Sequence, residues 1–548
     1  MKILRIMLAE AADEWRKLVA VASLSGIANA LIMYLVSALV SRPDSLDARQ
    51  LFLFCLAIGM YAFGARYTYN RMGDLIESLV YRMRIRLIGK LERAELQGIE
   101  RLGTTEIYGR LTENMATIST AGGMIAHLLQ SMVIVVAGTL YLIWHSATAF
   151  AAIALLFTAG IGLYGSGVAG VREQLQILAH TRLVFLDSLT DLLKGFKEVK
   201  HSRKRMLQLS ADIEAEALEL RKRSSRVNHL LDNSWVFINC VLYVVLAALV
   251  MILPQHLHLN AEAMGKVVPA VLLTWGPLLG IVRGYGEYLR SNQALDEIEA
   301  LEAKLDSFVE PSINKECVVS AWQGPLVAIE AHDLQYQYPL DSSGSGFCMG
   351  PVSLTVASGK IVFVVGGNGS GKSTLLKTLT GLYVPTSGTL RVNGILVQPE
   401  NAAAYREMIS AIHSDFHLFK KLYGCLDVAE EAIGRMLVEM KLDGKTAYRD
   451  HGFTSRELST GQRKRLALIA ALAEDRPLLV MDEWAADQDP EFRRYFYMEM
   501  LPALKQRGKT VIAACHDDRY FHCADEIVTM EEGRIRPPAS GESGAPLT

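Results

Sequence analysis

The chain has 548 residues, 51% of them hydrophobic, with a positive mean hydropathy and a net charge of −2. That length exceeds one ordinary domain and points to two or three, and the balanced charge offers no electrostatic case for nucleic-acid binding. The seven cysteines are scattered without a Cys-x-x-Cys pair, so neither a disulfide framework nor a cysteine zinc site is indicated.

The N-terminus is basic, but acidic residues interrupt it and no small-residue cleavage site follows an apolar core. It does not read as a cleaved signal. Six apolar runs follow, at roughly 18–40, 51–69, 125–144, 147–168, 235–253 and 267–285. Runs of about 20 such residues cross a bilayer as helices. The connection at 42–50 carries Arg42 and Arg49 balanced by Asp44 and Asp47, and the one at 254–265 has no Lys or Arg. Residues 70–124 are basic (Arg71, Arg82, Arg84, Arg86, Lys90, Arg93, Arg101, Arg110), as are residues 171–234 (Lys194, Lys197, Lys200, Arg203, Lys204, Arg205). The positive-inside rule therefore places the N-terminus and both long loops in the cytoplasm.

Both loops continue as charged helical patterns, so the transmembrane helices are expected to run on into the cytoplasm. About 30 helical residues reach roughly 45 Å. Their tips are expected near 104–111 and 199–205. Asn29, His127 and Asn239 fall inside spans, and Arg66, Arg283 and Glu287 near inner ends. Arg283 and Glu287, four apart on a helix, are placed to pair. For these polar residues, helix–helix bonding or snorkelling ranks ahead of lining a substrate path. Pro269 and Pro277 suggest a kink in the last span.

Residues 286–312 read as charged helix until Pro311-Ser312 breaks the pattern. The expected organisation is an all-α membrane domain over 1–310, a linker over 311–325, an α/β domain over 326–536 and a disordered Pro/Gly/Ser-rich tail over 537–548.

In the α/β domain, Gly366-Gly367-Asn368-Gly369-Ser370-Gly371-Lys372-Ser373-Thr374 fits G-x-x-x-x-G-K-[ST], the P-loop. An apolar β-branched run precedes it and a helical run follows it, as the motif requires. Glycines let backbone N–H groups converge on phosphate oxygens, and the helix N-terminus favours an anion. Lys372 supplies charge near the β- and γ-phosphates, and the Ser373 hydroxyl suits Mg²⁺. Downstream, Leu478 to Asp482 is an apolar strand ending in an acid, the Walker B pattern. Asp482 is placed to hold Mg²⁺ and Glu483 to polarise an attacking water. Between them, Glu457-Leu458-Ser459-Thr460-Gly461-Gln462 precedes a helical run, with Ser459 and Gly461 presenting a hydroxyl and N–H groups at its start.

Over nearly its whole length the chain resembles an ATP-binding cassette (ABC) exporter, one six-helix transmembrane domain fused to one α/β P-loop nucleotide-binding domain. LSTGQ over 458–462 stands where that family has LSGGQ, with Thr460 in place of a glycine. By the resemblance, Asp489 is the D-loop aspartate, His516 the switch histidine at the γ-phosphate, and Tyr338 the aromatic that stacks on adenine. The resemblance implies a homodimer sandwiching two ATP molecules, each signature completing the other copy's P-loop. The family's glutamine after the next strand is missing from Ser410-Ala411-Ile412-His413-Ser414-Asp415-Phe416. Ser414 or Asp415 takes its place, and Asp415 joins Ser373 and Asp482 as an expected Mg²⁺ ligand. SDFHLF together with DEWAADQDPEFRR resembles bacterial exporters of cyclic peptides, including microcins, lipopeptides and pyoverdine-type siderophore precursors. The implied activity is ATP-driven export of a peptide-like metabolite across a bacterial inner membrane. A lipid or multidrug exporter, or a membrane-anchored sensor ATPase, is the alternative.

Overall fold

In the computed structural model, which describes residues 5–6, 12–41, 48–168, 171–252, 261–310, 325–339 and 346–536, the apolar runs become long helices. The chain divides into Met1–Ala94 with Gly98–Phe308, and Glu95–Gln97 with Val309–Thr548. The expected connections at 42–47 and 254–260, the linker up to residue 324, the loop at 342–345 and the tail at 537–548 lie outside the described residues, as does the side chain of Arg283.

The first unit, which takes α3 from Gly98 onward, is helical: α1 Ala12–Ser41, α2 Ala48–Glu92, α3 Leu96–Leu102, α4 Thr104–Gly109, α5 Met115–His145, α6 Ala147–Val168, α7 Val171–Lys194, α8 Phe196–Lys200, α9 Arg203–Ala247 and α10 Ala261–Asp306. Among the described residues, all six predicted spans fall in helices. Among the described residues, five helices are long and apolar enough to cross a membrane, and α6 contributes a shorter apolar stretch, Ala147–Leu156. The most apolar windows of the five are only 11–39% buried within the chain. Phe52, Phe63, Leu140 and Trp144 stand exposed on them. Water would penalise such surfaces and lipid does not. Helix α2, at 45 residues, reaches roughly 68 Å, about twice a hydrocarbon core.

Helices α5 and α10 pack through glycines. A Cβ on Gly280 would overlap the His127 ring, one on Gly138 would overlap Thr274, and one on Gly284 would stand 3.0 Å from Leu128. Small residues let helix backbones approach where lipid gives no hydrophobic drive for association. Pro269 and Pro277 lie inside the continuous α10. Asn239 satisfies itself on its own helix, donating to Trp235 O at 2.8 Å, and His127 Nδ1 lies 3.1 Å from Ser131 Oγ. Glu287 pairs with Arg290 at 3.3 Å.

Part of the basic charge of the first long loop meets acids on α10 and α4. Arg86 pairs with Glu302 at 2.9 Å, Lys90 with Asp306 at 2.7 Å, and Arg110 with Glu106 at 2.8 Å. Lys304 of α10 also reaches Glu106, at 2.9 Å. The first excursion breaks at residues 93–95 and again at Gly103, which adopts φ 75°. The chain thus turns earlier than the expected 104–111, which is helical. Glycine at 103 supplies a left-handed conformation that a helix interior does not offer. The second excursion breaks at Gly195 and again at residues 201–202, where the Ser202 side chain caps α9.

The second unit holds β1 Ala328–Gln337, β2 Cys348–Ala357, β3 Ile361–Val365, α11 Lys372–Leu379, β4 Ser387–Val392, β5 Ile395–Leu396, α12 Ala402–Arg406, β6 Ile409–Ile412, α13 Glu430–Glu439, β7 Tyr448–Arg449, β8 Gly452–Phe453, α14 Thr460–Ala473, β9 Leu478–Asp482, α15 Pro490–Tyr495, α16 Leu501–Gln506, β10 Thr510–Ala514, β11 Glu526–Glu531 and β12 Arg534–Ile535. One sheet has the order β2-β1-β4-β5 and the other β12-β11-β3-β10-β9-β6. From β11 to β6 the second sheet is parallel, and β3, β9 and β10 are buried at every position. Alternate residues feed two cores. Ile361, Phe363, Leu479, Met481, Val511 and Ala513 join one; Val362, Val364, Leu478, Val480, Ile512 and Ala514 join the other. Burial on both faces is why these strands read as unbroken apolar runs rather than alternating ones.

Candidate functional site

Strands β3, β10, β9 and β6 run parallel, and the segments leaving their C-terminal ends carry the P-loop, His516, Glu483 and His413. Such ends are where open α/β sheets bind ligands. Gly366 leaves β3 at φ 152°, where a Cβ would overlap Met530 O and stand 2.8 Å from Ser370 Oγ. Gly371 at φ 97° turns the chain into α11. No L side chain suits either backbone. The loop therefore needs glycine for its own packing as well as for any phosphate.

Lys372 is 4% exposed, and its Nζ donates to Gly366 O at 3.1 Å and Gly367 O at 3.0 Å. It lies 4.0 Å from Glu483 Oε1. Burial lowers its pKa, while the Glu483 and Asp482 carboxylates pull the other way. Ser373, half-buried, follows at the start of α11. Ser370 Oγ and Asp482 Oδ1 are buried without a hydrogen-bond partner. Tyr338 OH lies 3.3 Å from Thr374 Oγ1, and its ring packs edge-on to Tyr336 at 5.0 Å and Tyr383 at 5.9 Å. The expected adenine platform thus adjoins the P-loop helix.

Glu483 sits at φ 52°, left-handed for a non-glycine residue. Such backbones cost of order 1–3 kcal/mol and persist only where surroundings enforce them. Two contacts do so here. Lys464 Nζ donates to Glu483 O at 2.7 Å, and Glu483 Oε1 lies 2.8 Å from His516 Nε2. Lys464 also pairs with Asp487 at 2.7 Å. A cavity of 320 Å³ opens beside this pair, lined by Glu483, Arg493, Tyr497, His516, Asp517 and Arg519. Hydrogen bonding from Arg519, joined by Arg493, holds the Asp517 carboxyl below its usual range.

Ser459 caps α14 in a reciprocal box. Its hydroxyl accepts from Gln462 N at 3.4 Å, and Gln462 Oε1 accepts from Ser459 N at 3.2 Å. Two of the helix's orphan donors are thereby satisfied. A Cβ on Gly461 would stand 2.5 Å from Asp487 O. Gln488 laces the two segments, donating to Gly461 O at 3.1 Å and accepting from Arg465 Nε at 2.8 Å. Asp489 accepts from Phe492 N at 2.8 Å, capping α15, and pairs with Arg465. The Phe492 N–H first, and Arg465 second, keep its carboxyl low. Ser459 and Thr460 remain exposed at the surface of this chain.

The structure thus brings the P-loop, Asp482, Glu483 and His516 together, while Ser459, Gly461, Gln462 and Asp489 form a second cluster on α14 and the turn before α15. Ser414 and Asp415 are both exposed. Sequence reasoning overlooked Lys464, Arg465 and Gln488, because a cation in a helical run looks like a solvated face until its neighbours are known. It also overlooked His413, half-buried, with a buried Nε2 that has no partner. Burial lowers the His413 pKa, against the pull of Asp482 and Asp415. The signal was present, since His413 immediately precedes the two residues weighed for the glutamine's role. Trp484, next after the acid, is accounted for by packing. Its Nε1 donates to Lys464 O at 2.7 Å and its ring lies 4.5 Å from Phe496.

Among the described residues, no group of three or more His, Cys, Asp or Glu side chains is arranged to hold a metal by itself. A cation carried on a nucleotide fits better. Asp482 Oδ1 is a buried oxygen with no partner, and the Ser373 hydroxyl lies on the P-loop helix that a triphosphate would meet.

A family model described as ABC transporter matches residues 349–486. The chain is 31% identical over 471 residues to the ATP-binding protein SyrD of Pseudomonas syringae pv. syringae, covering 83% of this chain and 82% of that one. It is also 31% identical over 219 residues to the ATP-dependent lipid A-core flippase of Burkholderia pseudomallei, covering 38% of this chain and 36% of that one. In fold it is similar to a bacterial Atm1-family ABC exporter solved with ATP bound, with a TM-score of 0.73, 16% identity and coverage of 97% and 95% of the two chains.

Proposed function

The chain belongs to the ABC transporter family, an ATPase coupled to transport with a membrane-spanning helical unit, and from that premise we propose that it exports a peptide-like metabolite, of the cyclic peptide, lipopeptide or siderophore-precursor class, across a bacterial inner membrane. The second unit then faces the cytoplasm, and 1–310 and 326–536 act as the transmembrane and nucleotide-binding domains. The observation that carries the reading is the meeting of Lys372, Glu483 and His516 beyond the C-terminal ends of adjacent strands, in a chain whose other unit is built of apolar, largely unburied helices.

In this reading the P-loop amides of Gly366 to Thr374 and the Lys372 ammonium bind the phosphates, while Tyr338 offers its ring to adenine. Ser373 and Asp482 hold Mg²⁺, which offsets phosphate charge. Glu483 accepts the proton of the attacking water, and His516, on the same carboxylate, contacts the γ-phosphate. Two copies pair head to tail, so that Ser459, Gly461 and Gln462 of one copy complete the P-loop of the other, with Asp489 supporting that face. ATP drives the cycle only by binding the closed pair more tightly than the open one.

For the cargo, a cavity of 420 Å³ in the helical unit is lined by Met124, His127, Trp235, Leu279 and Glu287, with the α10 glycines Gly280 and Gly284. Among the described residues its lining has a carboxylate, an imidazole and an indole and no Lys or Arg. Glu287, His127 and Trp235 offer an amphipathic peptide charged, polar and aromatic groups to meet. The match to SyrD supports the same direction, being too long to lie within the second unit alone. The test is the ATPase rate of the reconstituted protein against linear peptides, cyclic peptides, siderophore precursors and lipids. Stimulation confined to cyclic or siderophore-like peptides is the expected result. Stimulation by lipids alone would overturn the cargo class.

A further inference from the structure

The chain lacks the glutamine that its family places after the strand following the P-loop helix, and Ser414 and Asp415, which occupy that stretch, are exposed. The residue just before them is placed differently. Strands β6 and β9 are parallel, and their last registered pair is Ile412 opposite Met481. His413 leaves the C-terminal end of β6 just after that pair, and Asp482 is the last residue of β9, so the two follow the same registered pair at neighbouring strand ends. The charges that act on the imidazole are those of Asp482, Lys377 and Asp415. His413 Nε2 and Asp482 Oδ1 are both buried and both lack a hydrogen-bond partner.

Two orphaned buried polar atoms at the ends of adjacent strands are costly unless something uses them. A cation-binding carboxylate is ordinarily oriented by a second hydrogen-bonding group, and an imidazole N–H is a common one.

We propose that His413 is the positioning residue of the cation site in this chain: it orients Asp482 toward the divalent ion carried by the nucleotide, the role that the missing glutamine leaves open. The inference rests on the nucleotide-site reading above and adds to it a residue outside the P-loop and Walker B motifs. His413 acts through Asp482, so it moves the cation dependence of nucleotide binding more than nucleotide binding itself. Ser414 and Asp415 do not share the role.

The test uses the full-length protein in lipid nanodiscs, with Glu483→Gln as the parent so that ATP is bound but not turned over. Binding of a fluorescent ATP analogue is titrated with Mg²⁺ and repeated in EDTA. His413→Leu should raise the Mg²⁺ half-saturation by roughly 10–100-fold, the range for losing a group that orients a metal ligand, with EDTA-state binding unchanged. His413→Asn, which restores an N–H donor, should recover part of the loss. Ser414→Ala and Asp415→Asn, at the positions expected to stand in for the glutamine, should move the half-saturation less than His413→Leu does. An unmoved half-saturation in His413→Leu would overturn the proposal, as would the same loss in Asp415→Asn. An equal loss with and without Mg²⁺ would reduce His413 to a packing residue. Failure of the parent itself to bind the analogue would overturn the nucleotide site, and this proposal with it.

Discussion

Trp484 carries a stability prediction that can be worked through from its contacts. It is 1% exposed, packs against Phe496 and Phe492, and donates to Lys464 O. The Lys464 carbonyl lies inside α14 and keeps its own helical N–H, so losing the indole donor does not orphan it. Trp484→Phe therefore costs a net hydrogen bond of about 1 kcal/mol, plus the contacts of the missing ring atoms. Trp484→Ala leaves a cavity as well and costs about 3–5 kcal/mol. For a unit of this size, each kcal/mol lowers the melting temperature by roughly 2–4 °C. The assay is thermal unfolding of the detergent-purified protein, with ATPase rate read in parallel. The alanine variant should melt clearly below the phenylalanine variant, and both below the parent. Turnover should fall in both, because Lys464 also holds the backbone of Glu483. Melting of Trp484→Ala at the parent temperature would refute the claim that this ring ties the Walker B turn to α14.

Three further outcomes are expected. Glu483→Gln should keep ATP binding while turnover drops by about 10²–10⁴-fold, the worth of a positioned base, and single-turnover measurements separate the two. Ser459→Ala should cost roughly 1 kcal/mol of stability through the broken capping box, seen as a lower melting temperature with helix content otherwise retained. Partial desolvation of the Asp525 carboxylate opposes its charge, yet the Ile361 N–H and Lys505 outweigh that and hold its carboxyl low, and Asp489 and Asp517 are low as well. The unfolded chain takes up protons nearer the ordinary value of about 3.9. The stability these groups supply is thus complete above that pH and is lost as pH falls through it towards the folded values. Asp525→Asn should melt lower at neutral pH but lose less on acidification, as a pH series of melting curves would read.

What was legible in the sequence was local chemistry with fixed spacing. The P-loop glycines, Lys372 and the Asp482-Glu483 pair are set by neighbours along the chain, and the spans by runs of apolar residues. What was not legible depends on partners far away in sequence. Lys464 and Arg465 look like a solvated helix face until Glu483 and Asp489 are folded against them. Arg86 and Lys90 look like membrane-orienting charges until the acids of α10 meet them. The turn at residues 93–95 was missed because a charged helical pattern runs unbroken through a short loop. His413 was overlooked because only the register of β6 on β9 brings it to the strand end neighbouring that of Asp482.

The most direct test of the central claim is transport in inverted membrane vesicles. Vesicles bearing the parent protein are given Mg-ATP and a labelled cyclic peptide that stimulates its ATPase. Accumulation inside the vesicles that needs ATP and disappears in Glu483→Gln is the predicted result. ATP hydrolysis by the parent with no peptide accumulation beyond that of the Glu483→Gln vesicles would contradict the account.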